Sequence, residues 1–233
     1  MTPSDQTFTA RFSELEANLA EKLPADASAA FTAERAQLDA AGLPAGIAVA
    51  GRPMPDASLL DAHGNPTTLA QTIAGGPAVV VFYRGAWCPF CNLALRIYEQ
   101  DLLPGLSERG VTLVAISPQR PDGSLTMQQT NELSYAVLSD PGNRIATELG
   151  ILAPVNDGAR AAQVGLGLDV AASNADGTPT LPMPTVVVVD QGRIAWIDVH
   201  PNYATRTESA EILAAVSATV GSAGADVTRD HRP

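Results

Sequence analysis

The chain has 233 residues, 45% of them hydrophobic and 17% charged, with 25 acids against 14 bases and a formal charge of −11. That length and apolar content suit one folded domain with an extension, or two small domains, and argue against global disorder. The acidic balance argues against nucleic acid and anionic membrane as partners, because both are bound by clustered Lys and Arg.

In chain order, Thr7 to Lys22 places Phe8, Phe12, Leu15 and Leu19 at helical spacing. Pro24 interrupts it. Ala27 to Ala41 repeats the spacing with Ala27, Phe31, Leu38 and Ala41, although Glu34 and Arg35 break the stripe, and Gly42 to Pro44 stops it. Both segments are expected to be helices of an N-terminal extension, either packed on the domain or serving as an interaction arm. Gly46 to Pro55 reads as a connector, Ser58 to Leu60 as a short strand, and His63 to Pro66 as a turn. Ala78 to Tyr83 is a continuous apolar run that suits a strand buried on both faces, after the breaker Gly75-Gly76-Pro77. A helix is expected from about Pro89 to Leu103, stopped near Pro104-Gly105.

Val111 to Ile116 reads as a second buried strand, Ser117 to Ser134 as loop plus helix, and Tyr135 to Leu138 as a short strand. Pro141 to Leu149 reads as a helix closed by Gly150. Leu152 to Leu181 gives little pattern beyond a short helix near Ala159 to Val164. Thr185 to Val189 and Ile194 to Val199 form a hairpin across Asp190-Gln191-Gly192-Arg193, Glu208 to Thr219 is the last helix, and Gly221 to Pro233 is a polar tail. Strand, helix, strand, helix, hairpin and helix together predict an α/β fold: a central mixed β-sheet flanked by helices, plus the N-terminal helical extension. The expected organisation is residues 1–45 as extension, 46–220 as domain and 221–233 as flexible tail. No apolar stretch reaches 18 residues, and the N-terminus has neither a basic nor an apolar leader region. A cytoplasmic location is expected, where a C-x-x-C pair is catalytic or metal-binding more often than structural.

The chain holds only two cysteines, Cys88 and Cys91, in F-Y-R-G-A-W-C-P-F-C-N-L-A-L. A thiol reacts as its thiolate, and a helix N-terminus lowers a thiol pKa. C-x-x-C puts Cys88 at the mouth of the helix and Cys91 in its first turn, close enough for one sulfur to resolve a bond formed at the other. Pro89 suits the first helical turn. A structural disulfide over so short a loop would contribute only about 2 kcal/mol. A zinc half-site needs further ligands, and His63, His200 and His231 are not in ligand spacing. Redox chemistry is therefore the expectation, with no metal or organic cofactor.

The valine-rich strand, F-Y-R-G-A-W-C-P-F-C, the helix after it, V-T-L-V-A-I-S-P and the late M-P-T-V-V-V-V-D-Q-G resemble the thioredoxin superfamily. Within it, G-R-P-M-P-D-A-S-L-L-D and the D-P-G-N beginning at Asp140 are similar to the peroxiredoxin-like (alkyl hydroperoxide reductase/thiol-specific antioxidant) group. The resemblance covers roughly residues 46 to 215 and implies a thioredoxin-like fold. The family motif P-x-x-x-T-x-x-C, whose cysteine attacks peroxide, puts that cysteine on Cys91, its Thr on Cys88 and its Pro on Arg84. The family Arg before the late strand falls near Met183-Pro184, which instead resembles the proline, cis in the family, that faces the thiols of thioredoxins. Arg84 is the candidate for the missing charge, unless it is a packing residue. Trp87 and Phe90 are read as shielding the thiols or simply packing. Tyr203 and Arg206 are similar to a late Y-x-x-R of the group, with no role assigned.

The thioredoxin analogy makes Cys88 the attacking sulfur and the peroxiredoxin motif makes it Cys91. Either way the implied product is a Cys88–Cys91 disulfide. The resemblance implies a thiol-dependent peroxidase acting on hydrogen peroxide or organic hydroperoxides, recycled by thioredoxin or a low-molecular-weight thiol. The competing expectations are a thiol-disulfide oxidoreductase acting on protein disulfides and a redox-sensing binding protein. Homo-oligomerisation stays open.

Overall fold

The computed structural model describes residues 8–154 and 156–220; the expected polar tail, 221–233, lies outside the described residues. Two helices come first, α1 (Phe8–Lys22) and α2 (Ala25–Ala41), the second closed by Gly42 at φ +63°. A small hairpin, β1 (Ser58–Leu60) and β2 (Pro66–Thr68), leads through α3 (Leu69–Thr72) into β3 (Ala78–Phe82). After β3 come α4 (Pro89–Ile97), a π-helical turn over Tyr98–Leu102, and α5 (Leu103–Ser107). Next are β4 (Thr112–Ser117), α6 (Pro121–Asn131), β5 (Ala136–Ser139) and α7 (Arg144–Glu148). The chain continues with α8 (Asp157–Gly165), α9 (Val170–Ser173), β6 (Thr185–Asp190), β7 (Arg193–Val199) and α10 (Ser209–Thr219).

The strands form one seven-stranded sheet in the order β2-β1-β5-β4-β3-β6-β7. β3–β4 and β4–β5 are parallel, and the remaining pairs are antiparallel. β3 lies between β4 and β6 and is buried along its whole length, so both faces must be apolar. Val79, Val81 and Tyr83 point into one core with Phe90, Leu95, Tyr98 and Ile212. Ala78, Val80 and Phe82 point into the other with Leu69, Ile145 and Leu149. Each buried Val or Leu contributes about 1.5–3 kcal/mol relative to exposure. Phe8 and Phe12 of α1 join the first core, with ring centroids 5.2 Å (Phe8–Tyr98) and 5.7 Å (Phe12–Phe90) apart. The N-terminal helices are thus built into the main core beside α4.

Three expectations are corrected. The helix after β3 does not stop at Pro104-Gly105 but runs to Ser107. Its π-helical turn, with Leu103 N–H bonded to the Tyr98 carbonyl, widens the backbone directly before Pro104, which removes the clash a proline ring makes in a regular α-helix. The helix expected from Pro141 begins only at Arg144, because Gly142 and Asn143 have positive φ and form a turn. The carboxylate of Asp140 accepts the N–H groups of Arg144 and Ile145, each at 2.9 Å, and sets that start. Pro66–Thr68, expected to lie in and after a turn, is a strand. Asp61 accepts the His63 and Asn65 N–H groups, closing the turn tightly enough for β2 to pair with β1. Gly150 does close its segment, at φ +72°; a Cβ there would meet the Gly46 carbonyl at 2.6 Å.

Candidate active site

The turn between β3 and α4 holds the two thiols. Cys88 is the N-cap residue of α4, extended at φ −89° and ψ 114°, with Pro89 directly after it. Cys91 lies in the first helical turn, its N–H on the Cys88 carbonyl at 3.0 Å. The approach loop is clamped from both sides. The Ala86 N–H donates to Gln119 Oε1 at 2.5 Å, and Asn92 Nδ2 donates to the Ala86 and Cys88 carbonyls at 2.6 and 2.9 Å. Asn131 holds Asn92 at 2.7 Å, and Arg96 holds Asn131 at 3.0 Å. Gly85 has no room for a side chain: a Cβ would stand 2.5 Å from Trp87 Nε1.

Both thiols are free and buried, Cys88 at 2% and Cys91 at 0% exposure. Burial by itself raises the Cys91 pKa. The Cys88 thiol, the Arg206 guanidinium, the Arg84 backbone N–H and the Arg84 guanidinium oppose it and carry the value down to about 5. The direct contact is Arg206 Nη2 to Cys91 Sγ at 3.3 Å. Cys88 is driven the other way, well above the usual thiol range, because its S–H is committed to Cys91 and because it is buried. The surroundings thus favour the thiolate at Cys91 and the thiol at Cys88, one helical turn apart.

Arg206 sits on the segment between β7 and α10, which is pinned at several points. Its Nη1 donates to the Tyr203 and Thr205 carbonyls, both at 2.6 Å. The Tyr98 hydroxyl donates to the Thr207 carbonyl at 2.9 Å, and Asp198 accepts Thr207 Oγ1 at 2.7 Å. Asp198 also faces His200 Nε2 at 2.9 Å.

Among the residues singled out in the sequence, the structure places Cys88, Cys91, Arg84, Trp87, Pro89 and Phe90 at one site. Arg84 is buried, with its guanidinium 3.9 Å above the Tyr203 ring and 5.4 Å from Trp87. Direct contact with sulfur thus falls to the Arg206 guanidinium, not to the expected Arg84 side chain. Phe90 is buried against Phe12 and Tyr203. Pro184 lies directly before β6, buried beside Arg84 and Tyr203 in a small cavity that the cysteines do not line. The peptide bond before it is trans, so the likeness to the cis-proline of thioredoxins does not extend to its geometry.

Sequence reasoning passed over Glu34, Asn92 and the Arg206 contact. Glu34 is buried and accepts the Tyr203 hydroxyl at 2.8 Å, linking α2 to the Arg84 stack. The signal was present: a carboxylate interrupting an apolar helical stripe needs a partner in the core.

Comparisons with known proteins identify the family and the fold. The AhpC/TSA family pattern matches residues 50–197. A curated relative from Mycobacterium tuberculosis (strain H37Rv), named "Putative peroxiredoxin Rv2521", is 32% identical over 100 residues, 43% of this chain and 62% of its own length. The chloroplastic peroxiredoxin Q of Sedum lineare is 28% identical over 101 residues, 43% of this chain and 53% of its own. The chain therefore spans less than two thirds of these relatives. Among solved structures, peroxidoxin BcpB from Mycobacterium tuberculosis superposes with a TM-score of 0.55 at 20% identity, over 73% of this chain and 97% of its own. Reduced Prx3 of Vibrio vulnificus, solved with hydrogen peroxide, gives 0.59 at 18% identity, over 73% and 99%. These likenesses show the shared thioredoxin-like fold.

Proposed function

The chain belongs to the AhpC/TSA family, and from that premise we propose that it is a thiol-dependent peroxidase in which Cys91 attacks and Cys88 resolves. One observation carries the assignment: the sulfur that Arg206 holds at 3.3 Å is Cys91, while burial and the hydrogen bond to Cys91 push the Cys88 thiol up. The Cys91 thiolate attacks one oxygen of the peroxide O–O bond. The other oxygen leaves with a proton as water or an alcohol, and Cys91 becomes a sulfenic acid. The Cys88 sulfur then displaces the sulfenic oxygen as water and forms the Cys88–Cys91 disulfide. Arg206 and the backbone N–H of Arg84 favour the thiolate, and the buried pocket keeps that field unscreened. An external thiol, thioredoxin or a small molecule, returns the pair to the reduced state. The substrates are hydrogen peroxide or organic hydroperoxides, and the proposed compartment is the cytoplasm.

The alternative reading, attack on protein disulfides, needs a sulfur that a bulky protein substrate can reach, and Cys88 at 2% exposure under α1 and α2 does not offer one. The test is peroxide consumption by the reduced protein with dithiothreitol as electron donor. Consumption well above the thiol background supports the peroxidase. Reduction of insulin disulfides without peroxide consumption rejects it.

A further inference from the structure

The peroxidase steps leave unused an apolar chamber of about 410 Å³ that opens onto Cys88 and is not lined by Cys91. Leu19, Leu23 and Phe31 of the N-terminal helical segment form one wall, and Arg84, Trp87 and Cys88 form the facing one. The wall formed by that segment lies outside residues 50–197, which match the family pattern, whereas the facing wall lies within them. A protein reductant must bring its own sulfur into line with the disulfide, which needs an accessible sulfur. Here the helices stand over the thiols, and α1 is anchored by the Phe8–Tyr98 and Phe12–Phe90 contacts. A concavity of this size suits a small molecule.

We propose that the chamber admits a low-molecular-weight thiol, its carbon body against the apolar walls, as the direct reductant of the Cys88–Cys91 disulfide. This rests on the peroxidase reading for the origin of the disulfide. The small thiolate attacks Cys88 Sγ, the S–S bond breaks, and Cys91 leaves as a thiolate beside Arg206 at 3.3 Å. A second small thiolate attacks the external sulfur of the mixed disulfide. It releases the small-molecule disulfide and the Cys88 thiolate, which takes up a proton. Two small thiols thus supply the two electrons the protein disulfide accepts.

The test starts from full-length protein oxidised with diamide, so it does not depend on peroxidase activity. Reduction by 2-mercaptoethanol, glutathione or reduced thioredoxin is followed by stopped flow. Ala20→Trp and Ser28→Phe fill the chamber from its wall at an exposed and a half-buried helical position. Each is expected to slow reduction by the small thiols about tenfold or more, because access enters the exchange rate directly. Small-thiol rates unchanged in both variants overturn the proposal. So does rapid reduction by thioredoxin that outruns both small thiols and ignores the substitutions. If the variants slow the reaction of reduced protein with cumene hydroperoxide but not with hydrogen peroxide, and spare the reductive step, the chamber holds the hydroperoxide body instead and the proposal falls. Failure to form the disulfide also rejects it. Slowed small-thiol reduction in a protein that consumes no peroxide upholds the chamber and rejects the peroxidase reading.

Discussion

Replacing Arg206 with Met removes the guanidinium from Cys91 while keeping an unbranched side chain. Arg206 reaches the sulfur at 3.3 Å and is fixed by two carbonyls at 2.6 Å, so the bond is preorganised and buried. A hydrogen bond to a charged group contributes about 1.5–3 kcal/mol, and one pKa unit corresponds to about 1.4 kcal/mol, so its loss raises the Cys91 pKa by roughly one to two units. The thiol sits at about 5 in the intact site; the variant is expected at about 6 to 7. A lowered thiol pKa gives a reactivity present above that pKa and lost as pH falls through it. The variant therefore loses reactivity earlier on acidification, while near pH 8, above both values by roughly a unit or more, ionisation differs little. The assay is the pH dependence of iodoacetamide alkylation, with the modified cysteine identified by peptide mass. Arg206→Lys, which keeps the charge, is expected to fall between the two. A midpoint unmoved in Arg206→Met, or a low midpoint belonging to Cys88, would refute the reasoning.

Three further outcomes are expected. In Cys88→Ser, one equivalent of peroxide leaves a dimedone-reactive sulfenic acid on Cys91, whereas Cys91→Ser shows none on Cys88; the reverse pattern rejects the assignment of roles. Gly85→Ala places a Cβ 2.5 Å from Trp87 Nε1 and 2.9 Å from the Gln119 side chain. An overpacked site costs about 1–3 kcal/mol, read as a lower urea midpoint together with a larger fractional loss of Cys91 alkylation rate than its stability loss accounts for. Tyr98→Phe removes the hydroxyl that holds the Thr207 carbonyl at 2.9 Å. It is expected to cost about 0.5–1.5 kcal/mol by urea denaturation and to shift the Cys91 midpoint less than Arg206→Met does.

Much of the fold was legible because period and punctuation agree locally. The apolar run at Ala78, the valine run after Thr185 and the hairpin at Asp190 each bury or turn for reasons contained within a few residues. The misread boundaries were those set by distant or unusual backbone features. Pro104 reads as a stop because its ring clashes with the preceding turn of a regular α-helix, and only the π-helical turn before it lets the helix continue. Arg144 starts its helix because Asp140 caps it across a positive-φ turn.

Residue order alone places two thiols where a buried strand hands over to a helix, since C-x-x-C, Pro89 and the flanking apolar runs are contiguous. It left open which thiol attacks, because that depends on charge arriving from elsewhere in the chain. The tertiary structure brings Arg206, 115 residues beyond Cys91, onto one sulfur and leaves the other as its hydrogen-bond donor. It turns Arg84 onto Tyr203 and gives the interrupting Glu34 a buried partner. Electrostatic contacts a few ångströms long between residues far apart in sequence carry no local periodicity, so only the folded chain could decide them.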